Sequence, residues 1–110
     1  MITILIQTIL KGNDLKLENF RTHFNFDKIE NDYALINEKG SDTNYLNDLN
    51  SFVDRLSENY QSLKKANVEN IELAFIFSYT EQGNIEIPLE TLKKIVEMNC
   101  TIAISFYETK

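Results

Sequence analysis

Leu46, Leu49, Phe52, Val53, Leu56, Tyr60 and Leu63 step along the chain by 3, 3, 1, 3, 4 and 3 residues. At about 3.6 residues per turn this spacing places all seven on one stripe of a helix over 42–65. Ser41 or Asp42 can accept its first free amide hydrogens, and Lys64 and Lys65 meet the negative end of its dipole. Such a helix is not stable alone, because most helical stability comes from burying the apolar stripe against a second surface. The remainder of the chain must supply that surface, and its patterning is mostly that of strands.

Residues 2–10 place Ile2, Ile4 and Ile6 on one face and Thr3, Leu5, Gln7 and Ile9 on the other, as expected for a strand with one buried face. Ile71, Leu73, Phe75, Phe77 and Tyr79 alternate in the same way, marking 71–79 as a central strand. Ile102, Ile104 and Phe106 do so in 101–107, so both Phe75 and Ile104 are expected to face the core. Tyr33 to Ile36 reads as a short strand stopped at Gly40, and Leu15, Leu17, Phe20 and Phe24 suggest a short helix over 15–24 with Asp14 as a cap. Glu81-Gln82-Gly83 suits a hairpin turn with 84–87 as the return strand, and Pro88 suits the first position of a helix over 88–98. The expected fold is therefore one α+β domain over 1–110. It has a single mixed sheet with helices on one face, in the order β-α-β-α-β-β-α-β, and its last six elements allow a ferredoxin-like arrangement.

Chemistry is sparse by comparison. The chain has one Cys and one His, Cys100 and His23, so it lacks both an internal disulfide and a clustered set of zinc ligands. A thiol nucleophile would need a base within reach, and Cys100 fits a small apolar corner between helix and strand better than a reactive site. No Gly-rich phosphate loop is present, and no catalytic residue, metal or cofactor is expected. Residues 1–10 are apolar but lack a basic flank and end at Lys11-Gly12, short of the roughly 20 residues that span a bilayer. A cytoplasmic protein without signal peptide or membrane anchor is expected.

Charge carries more information. Seventeen Asp and Glu against eleven Lys and Arg give −6, the wrong sign for neutralising nucleic-acid phosphates. Between Ala66 and Leu92 there is no Lys or Arg, while Glu69, Glu72, Glu81, Glu86 and Glu90 are all acidic. Acids on solvated faces maintain solubility, but an acidic surface also accelerates and selects association with a basic protein. Asp48, Asp54 and Glu58 on the long helix, with Glu81 and Glu86 about the 80–86 turn, are the candidate partner-binding residues. Tyr45, Tyr60, Tyr79 and Tyr107 are aromatic anchors available nearby.

Over 46–107 the stretches LNDLNSFVDRL, NIELAFIFSYTEQGNIEIPLETLKKIVEMN and TIAISFYE resemble the C-terminal half of a family of small bacterial domains. In that family a long helix leads to an apolar strand, a hairpin, a Leu-Lys-Lys helix and a final strand. Such acidic domains resemble immunity proteins encoded beside polymorphic or contact-dependent growth-inhibition toxins. The resemblance implies a non-enzymatic protein that binds a cognate toxin, a basic nuclease among the candidates, and neutralises it by stoichiometric occlusion. An adaptor or regulatory subunit and an enzyme of small substrates are the alternative classes.

Overall fold

The computed structural model describes residues 2–40, 45–81 and 84–109. Seven regular elements form an α+β fold: β1 (Ile2–Gly12), β2 (Phe26–Ile29), β3 (Tyr33–Lys39), α1 (Tyr45–Lys65), β4 (Val68–Tyr79), α2 (Leu89–Glu97) and β5 (Thr101–Glu108). The strands make one mixed sheet in the order β2-β3-β1-β4-β5. All pairings are antiparallel except β4 with β5, which run parallel.

β1 is the middle strand, and period-two alternation decides which of its side chains enter the core. Ile4, Ile6, Thr8 and Leu10 are buried, opposite Phe77, Phe75, Leu73 and Ile71 of β4, while Thr8 and Leu10 also oppose Ile36 and Ala34 of β3. Over this row α1 buries Leu49, Phe52, Val53, Leu56 and Leu63, five residues of the stripe that the spacing predicts. Tyr60 packs at the margin, and Tyr45 rests edge-on against Phe77 with ring centroids 6.1 Å apart. α2 lies beside α1, parallel to it, and sends Ile95 and Met98 into the same core. Both helices thus cover one face of the sheet.

α1 is clamped on both flanks. Toward β3, Arg55 makes a two-pronged ion pair with Glu38, at 2.8 and 2.9 Å, and donates to the carbonyl of His23 at 2.9 Å. Its guanidinium lies over the rings of Phe24 and Phe52, which joins helix, strand and loop through one side chain. Toward α2, the Thr91 hydroxyl donates to Asn50 at 2.6 Å and Lys94 donates to Asp54.

Four sequence expectations are corrected. Residues 15–24 form no α-helix, only a 3-10 turn at Glu18–Phe20. Asp14 has φ 57°, the left-handed region, whereas a helix cap needs an extended backbone, so no helix starts there. Leu15, Leu17, Phe20 and Phe24 are nonetheless buried, because Lys16 N–H donates to the Ala66 carbonyl and Asn67 Nδ2 to that of Asp14, which ties the segment along α1. Second, the hairpin near this part of the chain is β2 with β3, and β2 is a strand that the pattern did not mark. Third, 84–87 forms no return strand: β1 and β5 occupy both edges of β4, so Ile85 and Ile87 pack against the core without joining the sheet. The turn residues Gln82 and Gly83, like Ser41 and Asp42, lie outside the described residues. The split β-α-β arrangement consequently falls on the first six elements instead of the last six. β1 and β2 are parallel with β3 between them, β3 and β4 are parallel with β1 between them, and the 3-10 segment stands where a first helix would be.

The fourth correction concerns β5, whose alternation predicts a buried Ile104 but which is an edge strand. Its register with β4 places Ile104 beside buried Phe75, yet Ile104 is 47% exposed because neither helix reaches over it. Phe75→Asp is therefore expected to cost at least about 3 kcal/mol by burying an unpaired charge. Ile104→Asp is expected to cost less than about 1 kcal/mol in dilute solution. Urea denaturation of the two variants checks the contrast, and equal losses would refute the edge assignment.

Thr8 is fully buried and its hydroxyl has no hydrogen-bond partner among the described residues. Thr8→Val removes that unpaired group while keeping a β-branched shape, so stability is expected to rise by about 1 kcal/mol. The same denaturation measurement tests this, and a lower midpoint would overturn it.

Candidate protein-binding surface

The chain leaves β4 at Tyr79 and returns to the helical layer through 84–88. Passing the start of β1 and the end of β5, it walls off an open groove of about 790 Å³ lined by Ile2, Tyr79, Glu81, Asn84, Ile85, Glu86 and Phe106. The apolar part of its lining has identifiable origins. Ile2 is the first described residue of β1, Ile85 packs against the core from the connecting arm, and Phe106 stacks on Phe77 with ring centroids 5.5 Å apart. The groove is acidic because Glu81 and Glu86, both exposed, belong to its lining. Two carboxylates over an aromatic and aliphatic floor suit a cationic side chain with an apolar stem, such as Lys or Arg of a protein partner.

The five candidate residues do not form one patch. Glu81 and Glu86 share the groove, whereas Asp54 and Glu58 line a separate shallow depression with Asn47, Asn50, Ser51 and Arg55. Asp54 is already engaged, since it binds Lys94 across the α1–α2 seam. That hydrogen bond chiefly holds the Lys94 ammonium above its usual range, with Glu90 and Glu58 adding smaller charge effects. Asp48 lines neither depression and lies beside Gly40 near the start of α1. Of the candidate acids on α1, Asp54 is thus already paired within the fold. Of the tyrosines, Tyr79 lines the groove, Tyr45 and Tyr60 pack on the core, and Tyr107 is exposed on the sheet face away from the helices.

Ile2, Ile85 and Phe106 are functional candidates that sequence reasoning passed over. They are far apart in sequence, and only Phe106 carried a signal, as an aromatic in a strand end. Among the described residues no group of three or more His, Cys, Asp or Glu is placed to hold a metal ion, and no helix is long and apolar enough to cross a membrane. Cys100 and His23 lie on opposite sides of α1, Cys100 at the α2–β5 junction and His23 in the loop whose carbonyl accepts from Arg55. Comparison with family models, with curated proteins and with solved structures finds no match to this chain.

Burial pushes the Cys100 thiol up to about 11. The thiolate is the reactive form, so at pH 8 alkylation by iodoacetamide is expected to be at least about tenfold slower in the folded protein than in urea. The rate should climb as pH approaches 11. Because the unfolded thiol loses its proton first, this group also withdraws stability as pH rises through the window between its unfolded value and about 11. Equal alkylation rates in folded and unfolded protein would refute the burial argument.

Proposed function

We propose that this protein is a stoichiometric protein inhibitor of the immunity type, which binds a basic toxin domain and occludes its working surface. The observation that carries the reading is the groove of Glu81 and Glu86, where two exposed carboxylates flank the apolar side chains of Ile2, Ile85 and Phe106. A basic side chain of the partner enters the groove, its stem on Phe106 and its charge between the carboxylates. The acids of α1 contribute mainly a long-range field that accelerates encounter. Such an inhibitor acts in the cytoplasm, where its single thiol stays reduced. It needs no cofactor or metal, because occlusion is a matter of surface complementarity.

The test uses a basic toxin domain, sought first in the gene that neighbours this one. Glu81→Lys with Glu86→Lys is expected to weaken binding at least about 100-fold and to abolish protection of toxin-exposed cells. Glu58→Lys, outside the groove, is expected to slow association a few-fold at low salt and to lose that effect near 1 M salt, where the Debye length is about 3 Å. Unchanged affinity in the folded double variant would move the interface elsewhere. Failure of the wild type to bind the toxin domain would remove the inhibitor reading.

A further inference from the structure

The helical layer stops short of the β5 side of the sheet. Ile102, Ile104 and Phe106 lie in the register of buried Leu73, Phe75 and Phe77, yet all three are exposed, Phe106 by 55%. On α2, Thr91 and Lys94 face α1 while Ile95 and Met98 enter the core. Helical spacing therefore turns Leu89, Leu92 and Val96 away from α1, toward the free edge of β5. Leu89 is 66% and Val96 76% exposed. Together these six side chains leave on the order of 600 Å² of apolar surface to water, at the upper end of what a monomer ordinarily exposes.

Beside these side chains runs the outer edge of β5, to which no strand pairs among the described residues. Residues 101–107 contain no Lys, no Pro and no other charge, and their register on β4 has no bulge, so the usual devices that blunt an edge strand are missing. We propose that a second copy of this chain occupies this edge. β5 pairs antiparallel with its counterpart about a two-fold axis near Ile104, continuing the sheet through ten strands.

Three features favour a second copy over a foreign strand. The first is self-complementarity: an axis at Ile104 sets Ile104 against itself, Ile102 against Phe106 and Ala103 against Ser105, giving β-branched and aromatic cross-strand pairs. The same axis lays the two α2 helices antiparallel, with their Leu89, Leu92 and Val96 stripes on the side toward the seam. The second is charge. On a chain of net −6, the uncharged run 101–107 is a place where two copies meet without opposing carboxylates, and it offers a basic strand nothing to pair with. The third is area, since two copies together present about 1,200 Å² of such apolar surface, near the lower bound of a specific interface, and pairing of the β5 backbones adds to what the contact covers. Phe106 ends the seam and also lines the acidic groove, so the dimer carries one groove at each end of the shared edge.

Sedimentation equilibrium from about 1 to 200 μM tests the proposal on the full chain. The expected species is a dimer of the 12.8 kDa chain. Ile104→Lys, which opposes two ammonium groups at the axis, is expected to raise the dimer dissociation constant at least about 100-fold. Val96→Glu is expected to raise it about tenfold. Both positions are exposed in the monomer, and circular dichroism verifies folding. Ile104→Cys in a Cys100→Ser background is expected to form an intermolecular disulfide on mild oxidation, because directly opposed antiparallel residues lie within disulfide reach. A wild type that stays monomeric at 200 μM overturns the proposal, and so does a monomer that instead captures a cationic peptide along β5. A folded Ile104→Lys protein that remains dimeric, or a dimer that forms no Ile104→Cys disulfide, overturns the seam.

Discussion

β1 is hydrogen-bonded on both edges, by β3 and by β4, so its backbone can be buried without leaving donors or acceptors unpaired. That double pairing lets the row Ile4, Ile6, Thr8 and Leu10 be the bed on which α1 lies. With β1 in the middle, β3 and β4 must run parallel to each other. The link between them must then cross β1, and the 21-residue α1 is that link. A sheet in which β3 and β4 were neighbours would strip β1 of one ladder and leave half the stripe of α1 without a floor. The buried Thr8 hydroxyl is a consequence of this geometry: the row is so well covered that the fold tolerates one unpaired polar atom in it.

The polar side chains of α1 show how a charged sequence is divided between structure and surface. Arg55 on one flank and Asp54 on the other are adjacent in sequence and therefore point about 100° apart around the helix, which lets one reach Glu38 on β3 and the other Lys94 on α2. Together they fix the rotation of the helix on the sheet more sharply than apolar contacts can, because ion pairs and hydrogen bonds are directional. With Asp54 engaged, Glu81 and Glu86 are the two candidate carboxylates that share a groove. This redistribution shifts the weight of the proposed interface from α1 to the connecting arm after β4.

The candidate site was legible in the sequence only in part. Glu81 and Glu86 stood out because a basic-free run surrounds them and because turn residues project to solvent. The apolar floor did not stand out, since Ile2, Ile85 and Phe106 come from the start, the late middle and the end of the chain, and proximity of that kind is created by strand order. Asp54 was legible as an acid but not as a spent one. Whether a surface carboxylate is free depends on what the neighbouring helix presents, and Lys94 is 40 residues away. Similarly, Leu15, Leu17, Phe20 and Phe24 were recognisable as buried residues, while their helical spacing was accidental. They fill the flank of α1 from an irregular loop, held there by hydrogen bonds to Ala66 and from Asn67.

What the sequence by itself determined was the local periodicity and its consequences. The stripe of α1, the alternation in β1, β4 and β5, and the short amphipathic α2 arise from side chains a few residues apart, and covalent geometry sets the face each one takes. Those patterns were enough to require one sheet with helices on one face. Only the tertiary structure decided which strand neighbours which, because strand pairing uses backbone groups that are alike at nearly every position. β4 received β5 in parallel in place of a hairpin return, and that choice left Ile102, Ile104 and Phe106 exposed at an edge although their alternation matches that of a buried strand. Periodicity reports which residues share a face, whereas exposure depends on whether another layer extends over that face, and here the two helices are too few to reach the last strand.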